Sequence, residues 1–302
     1  MKTTRRDFLK TSALALAGTA LLAKAGCAPP AARTKPVVAI QLYSIRRDMQ
    51  EDPLASLRRL ADIGYTHVEH ANYVDHKFYG WAPSEFKKVL DDLGMKMPSG
   101  HTVLAPAHWD DNLGDFTPEW KRLVEDAAFM GQEYVVSPWM DPRMYSTYDN
   151  FMWFMDIFNK CGELCQQHGM RFGYHNHDFE FTETLNGETL WDLIMNNTDA
   201  DKVVMQLDTG NMYIAGAKAS EVLAQYPGRY DNIHVKDMIQ RQDGGYESTI
   251  LGQGLVGVRE AADLARDQGT ELFIIEQEAY QGKEPMDCMA ENYAVMQDWG
   301  YI

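Results

Sequence analysis

Several apolar runs in this chain end abruptly in polar residues of types that can do chemistry. The segment MRFGYHNH closes on His175, Asn176 and His177, and KVVMQLD closes on Asp208. The run NIHVKD carries His234, Lys236 and Asp237, and LFIIEQE ends in Glu276 and Glu278. Earlier runs end in Gln41 and Tyr43, in Glu69, in His101, and in Ser137 and Trp139. Polar groups directly after hydrophobic β-type runs are costly to bury without partners. Any one of them reads equally well as a strand cap, but eight together point to one shared polar site. The sharpest subset is His175, Asp208, His234 and Glu276. Two imidazoles and two carboxylates suit Mn²⁺, Co²⁺, Fe²⁺ or Zn²⁺, whereas Mg²⁺ prefers more oxygen. Such an ion polarises a carbonyl and holds an enediolate oxygen. His177, Glu276 and Glu278 are then the candidates for moving a proton on the neighbouring carbon. Lys236 is placed to bind a substrate oxygen, with an ion pair to Asp237 or another carboxylate as the alternative. Glu69, His101, Trp139 and Asn211 are assigned to substrate contact. Glu180, in the loop after His177, is the alternative to His175 as a ligand.

The elements that would position these residues repeat along the chain. A helical stretch ends in Gly and a short β-rich run follows, at Gly64, Gly94, Gly131, Gly169, Gly228 and Gly269. Gly fits the left-handed position just after a helix, so the next strand can begin within a few residues. The runs Val37 to Tyr43 and Lys202 to Asp208 bring the strand count to eight. Thr117-Pro118-Glu119 reads as an N-cap and first turn. Alternating strands and helices imply parallel strands with right-handed crossovers. Eight units over some 270 residues predict an α/β protein, a closed (β/α)8 TIM barrel spanning 37–302. An open doubly wound sheet is the runner-up, but no GxGxxG follows the first strand. In a barrel the polar run ends gather at one face, where barrel enzymes keep their active sites.

The 302-residue chain has 45% hydrophobic residues, 28 Lys+Arg and 44 Asp+Glu, a formal charge of −16. An acidic surface repels phosphate backbones and anionic lipid, so nucleic acid is an unsuitable partner. Residues 1–26 read as an export signal. Arg5 and Arg6, with Phe8, Leu9 and Lys10, resemble the twin-arginine signal, and the apolar run Ser12 to Ala23 is too short to span a bilayer comfortably. Cleavage has two candidate sites. Ala23-Lys24-Ala25 suits ordinary signal peptidase, and Ala25-Gly26-Cys27 resembles a lipobox, which would place a lipid anchor on Cys27. Residues 27–36 form a Pro/Ala-rich tether. The expected location is the periplasm, free or as a membrane-anchored lipoprotein, and a homo-oligomer is left open. Cys161, Cys165 and Cys288 show neither CxxC spacing nor an even set, so no disulfide framework is expected.

The motifs GYHNHDFEF, QLDTGNM, IHVKD, LGQG and IIEQE together resemble the xylose-isomerase-like TIM-barrel superfamily, the sugar phosphate isomerase/epimerase group. The resemblance runs from about Val37 to the C-terminus. It implies a Glu-Asp-His-Glu metal site whose last three positions are Asp208, His234 and Glu276. At the first position His175 stands where many relatives have Glu, and Asn211 stands where a His often follows the metal-binding Asp. The first change removes one carboxylate from the acid/base pair that epimerases of the group use. No P-loop and no Arg/Lys cluster at run ends is present to hold a phosphate. The expected function is therefore a metal-dependent isomerase or epimerase acting on an unphosphorylated sugar or keto-sugar. The alternatives are a lyase, either a dehydratase or an enzyme cleaving 3-keto-glycosides, and a non-catalytic sugar-binding barrel.

Overall fold

The computed structural model describes residues 36–302. The export signal, its cleavage sites, Cys27 and most of the tether lie outside the described residues.

Eight parallel strands close into a barrel. In chain order they are β1 (Val37–Gln41), β2 (His67–His70), β3 (Lys96–His101), β4 (Tyr134–Ser137), β5 (Arg171–His175), β6 (Val203–Asp208), β7 (Asn232–Val235) and β8 (Leu272–Ile275). Each strand pairs with its neighbour in sequence, and β8 pairs back on β1 with Ile275 beside Ile40. Closure excludes the open doubly wound sheet. Among the described residues eight α-helices of seven or more residues surround the strands: α1 (Pro53–Ile63), α2 (Pro83–Asp92), α3 (Pro118–Met130), α4 (Tyr148–Gln167), α5 (Leu190–Asn197), α6 (Ala219–Gln225), α7 (Val258–Asp267) and α8 (Pro285–Asp298). The six repeat glycines all have positive φ, between 66° and 121°. At Gly131 the residue is left-handed and its N–H closes α3 on Ala127 O, which only a residue without Cβ does cheaply. Thr117 caps α3 by accepting from Trp120 N, with Pro118 in the first turn.

Between strands and helices the core is large and apolar, with Trp120, Phe154, Phe158, Phe172 and Phe273 fully buried. Cys161 and Cys165 lie within this core on α4, Cys288 is buried on α8, and all three are free thiols. Among the described residues no helix is long and apolar enough to cross a membrane.

Strand register fixes which polar residues meet. On paired parallel strands, residues in register point to the same face. Gln41 pairs with Glu69 and Glu69 with Ser99, His175 pairs with Gln206, and Asp208 pairs with His234. Each set therefore arrives inside the barrel as a side-chain layer near the C-terminal ends of the strands.

Candidate active site

The lower layer is built around Glu69. Its carboxylate accepts from Gln41 Nε2 (2.6 Å), Ser99 Oγ (2.5 Å) and Gln206 Nε2 (2.8 Å), and its Oε2 meets His234 Nε2 at 2.6 Å. The carboxyl is completely buried. Burial alone would raise its pKa, but His101, His234 and the hydrogen bonds outweigh it and hold it down at about 2. Sequence spacing predicts substrate contact for Glu69, which is fully buried and does not line the cavity above it. Glu69 lies beneath the floor of the cavity, where it orients His234 and Gln206 instead. Gln206, not among the residues singled out from the sequence, bridges Glu69 to His101 (2.6 Å) and His175 Nδ1 (3.0 Å). Its position two residues before Asp208, hence on the same strand face, was the available signal.

Above this layer, His175, Asp208, His234 and Glu276 converge. One potential ligand atom from each lies within 4.8 Å of the others. Asp208 Oδ2 is 4.0 Å from His175 Nε2 and 3.9 Å from His234 Nδ1, and His234 Nδ1 is 2.9 Å from Glu276 Oε2. Ligand atoms around a tetrahedral ion with bonds of about 2.1 Å stand about 3.4 Å apart, so small side-chain shifts would close the group on a cation. A second fact supports the fit: Asp208 Oδ2 is buried and has no hydrogen-bond donor, while Oδ1 accepts from Asn211 N (2.6 Å). The charge near Oδ2 is Lys236 Nζ, 3.5 Å away and making no hydrogen bond to it. A buried carboxylate oxygen without a donor is costly unless a cation completes its surroundings. The described residues thus hold a His/Asp/Glu cluster able to bind a divalent ion. Glu180 is not part of it. Its oxygens accept from Tyr174 OH and His177 N, and burial raises its pKa to about 7.

The electrostatics are those of a charge network. His234 lies between two carboxylates. Burial would lower its pKa, but Glu69 and Glu276 outweigh that and raise it to about 10. Asp208 is raised to about 7 by burial, against the pull of the Lys236 ammonium. Burial also works against the charge on Glu276, yet Lys236 and His234 keep it well below the usual carboxylate range. Lys236 Nζ reaches Glu276 Oε2 (3.2 Å), Asp208 Oδ2 (3.5 Å), Asn211 Oδ1 (3.3 Å) and Glu278 Oε1. Those carboxylates overcome its desolvation and keep it an ammonium. Lys236 thus pairs across to β8 and β6 and not with Asp237. The Asp237 carboxylate instead accepts the N–H groups of Gly252, Gly254 and Val256 and holds the LGQG loop. The glycine of DTGN has a local reason as well, since a Cβ on Gly210 would lie 2.8 Å from Lys236 Cγ.

A cavity of about 420 Å³ opens above the cluster. His101, Trp139, His175, His177, Asn211, Lys236, Glu276 and Glu278 all line it, together with Tyr43 and the chain around Tyr73. His177 packs edge-on against Trp139 at 5.2 Å between ring centroids. Burial, then the nearby Lys236 charge, lowers its pKa to about 4, so it is a neutral imidazole at pH 7. Glu278 is positioned by its backbone: Ser248 Oγ accepts from Glu278 N (2.7 Å) and Ala279 N (2.9 Å). Ser248 sits in the hairpin Asp237–Gln240/Tyr246–Thr249, which leaves β7 directly after Lys236.

A family model described as xylose isomerase-like TIM barrel matches residues 57–299. The chain belongs to that family. Among curated relatives, an inosose dehydratase of Clostridium perfringens is 28% identical over 120 residues, covering 40% of this chain and 39% of that protein. One of Geobacillus kaustophilus is 25% identical over 219 residues, covering 65% of this chain and 67% of that protein. The chain thus spans about two fifths of the first of these relatives and two thirds of the second. Among solved structures, a sugar phosphate isomerase/epimerase from Parabacteroides distasonis shares the fold. It has a TM-score of 0.75 at 24% identity, covering 92% of this chain and 99% of that one.

Proposed function

We propose that this protein is a lyase that removes a proton beside the carbonyl of an unphosphorylated keto-sugar and expels the oxygen substituent one carbon further on. The observation that carries the reading is the make-up of the cavity wall. A neutral imidazole that can accept a proton, His177, and an ammonium that can give one, Lys236, line one cavity on strand ends separated by β6. A two-carboxylate epimerase wants a carboxylate on each flank, but here the β5 flank carries His175 and His177.

The residues that would hold the ion are His175, Asp208, His234 and Glu276. A divalent cation bound there supplies Lewis-acid stabilisation of negative charge on the substrate carbonyl oxygen. His177 takes the α-proton, and the C–H electrons become the new carbon–carbon π bond as the C–O bond breaks. Lys236 returns a proton to the departing oxygen, so the products are an unsaturated keto-sugar and water or an alcohol. Glu278 holds the Lys236 ammonium toward the cavity. Among the described residues Lys236 is the only Lys or Arg on this wall, and it already faces three carboxylates, which disfavours a phosphate group. The relatives that carry the name inosose dehydratase support the same reaction class for a whole-protein activity. The isomerase or epimerase reading shares the first step. What favours it is that proton carriers stand on both flanks of the cluster, His177 on one and Glu278 on the other.

Incubating metal-loaded protein with inosose and with 3-keto-glucosides in heavy water separates the readings. Loss of water or of the aglycone is the expected result. Deuterium uptake without mass loss would support the isomerase instead, and neither would overturn both.

A further inference from the structure

Half of the large hydrophobic side chains exposed among the described residues ring one cavity. Tyr43 is 42% exposed, Val74 58%, Val103 37% and Trp139 40%, and all four line the cavity above the Asp208 cluster. They come from four different loops, after β1, β2, β3 and β4, so no single helix or strand pattern accounts for them. Exposed apolar groups that converge on a polar floor mark a ligand surface more often than chance solvation.

The collar also opens sideways. A second cavity of about 530 Å³ shares Tyr43, Ala71 and Asn72 with the first. Tyr43 lines both cavities. Arg46, which also lines the second cavity, has its guanidinium 4.6 Å from the Tyr43 ring centroid and donates to Tyr43 O (3.2 Å) and Tyr280 Oη (3.4 Å). A single sugar ring seated on Lys236 and the cluster leaves this collar and the adjoining space without contact. Its own hydroxyls also gain nothing from aliphatic Val74 and Val103.

Resting on the reading of the cluster as a keto-sugar site, we propose that the substrate is a glycoside with an aromatic aglycone. The sugar ring lies over His101 and Lys236, and the aromatic group lies against Tyr43, Val74 and Val103, reaching the second cavity. In the elimination this aromatic alcohol is the group that departs. The C–O bond breaks toward the aglycone oxygen, which takes the proton from Lys236, with no oxidant or reductant consumed. A phenol is a better leaving group than an alkyl alcohol, so the collar selects the substrates that react most readily.

The test uses matched phenyl and methyl β-glycosides of glucose and galactose, which carry no ketone and do not react. Calorimetric titration of the metal-loaded protein is expected to give phenyl glycosides an affinity on the order of tenfold above the methyl ones. In the Tyr43→Ala/Val74→Ser variant that ratio should fall below about twofold. Both positions are exposed, and circular dichroism checks that the variant is folded. Equal affinities in the wild type, or binding of neither series, would overturn the proposal. So would a concentration-dependent dimer that the same variant dissolves, because the collar would then be covered by a second copy. A phenyl preference without turnover of any keto-glycoside would leave this site standing and remove the lyase reading.

Discussion

Glu69 and His234 come from β2 and β7, three strands apart around the barrel, and meet at 2.6 Å beneath the cavity floor. The contact occupies Nε2 and leaves Nδ1 facing Asp208 and Glu276. A carboxylate behind a ligating histidine fixes the ring and raises its basicity.

Glu69→Gln keeps the shape and removes the charge. Divalent-ion affinity, measured by competition with a chromogenic chelator, should fall by roughly 10–100-fold. An unchanged affinity would mean that Glu69 serves only the packing of the barrel floor.

His177→Gln should separate binding from turnover. The ring touches Trp139 and lies outside the ion cluster, so metal content should stay while kcat falls by about 10²–10⁴. Loss of metal and activity together would place His177 among the ligands.

A third expectation concerns acid stability. His70 is buried at the end of β2, its Nδ1 has no partner, and its ring meets Phe78 edge-on. Burial, and after it the charge of His101, pushes its pKa to about 3, with Glu69 acting in the opposite direction. The folded value lies below the unfolded one near 6.5. The unfolded chain therefore binds more protons between the two, and stability is full above pH 6.5 and declines as pH falls toward 3. The contribution is up to roughly 5 kcal/mol. Urea titrations of wild type and His70→Asn between pH 7 and 4.5 should show a shallower acid loss in the variant. Parallel curves would contradict the assignment.

Much of this was legible from residue types alone. The barrel followed from the helix-Gly-strand repeat, because a left-handed residue after each helix is a local requirement that sequence displays directly. The cluster of His175, Asp208, His234 and Glu276 followed from its position at consecutive strand ends. What could not be read was depth. Glu69 and Glu276 both end apolar runs, yet strand register puts one under the floor and the other on the wall. The partner of Lys236 was equally hidden. Asp237 is adjacent in sequence, but a neighbouring residue on an extended chain points to the opposite face, and the carboxylates that reach Lys236 arrive from β6 and β8.

Asp208 stands in the cluster with its Oδ2 buried, without a hydrogen-bond donor and 3.5 Å from Lys236 Nζ. The direct measurement is metal stoichiometry by elemental analysis of protein purified without chelator, made on wild type and Asp208→Ala, with activity assayed on the same samples. About one divalent ion per wild-type chain is expected, little in the variant, with turnover lost in step. Full activity in wild-type protein stripped of metal would contradict the metal-dependent reading.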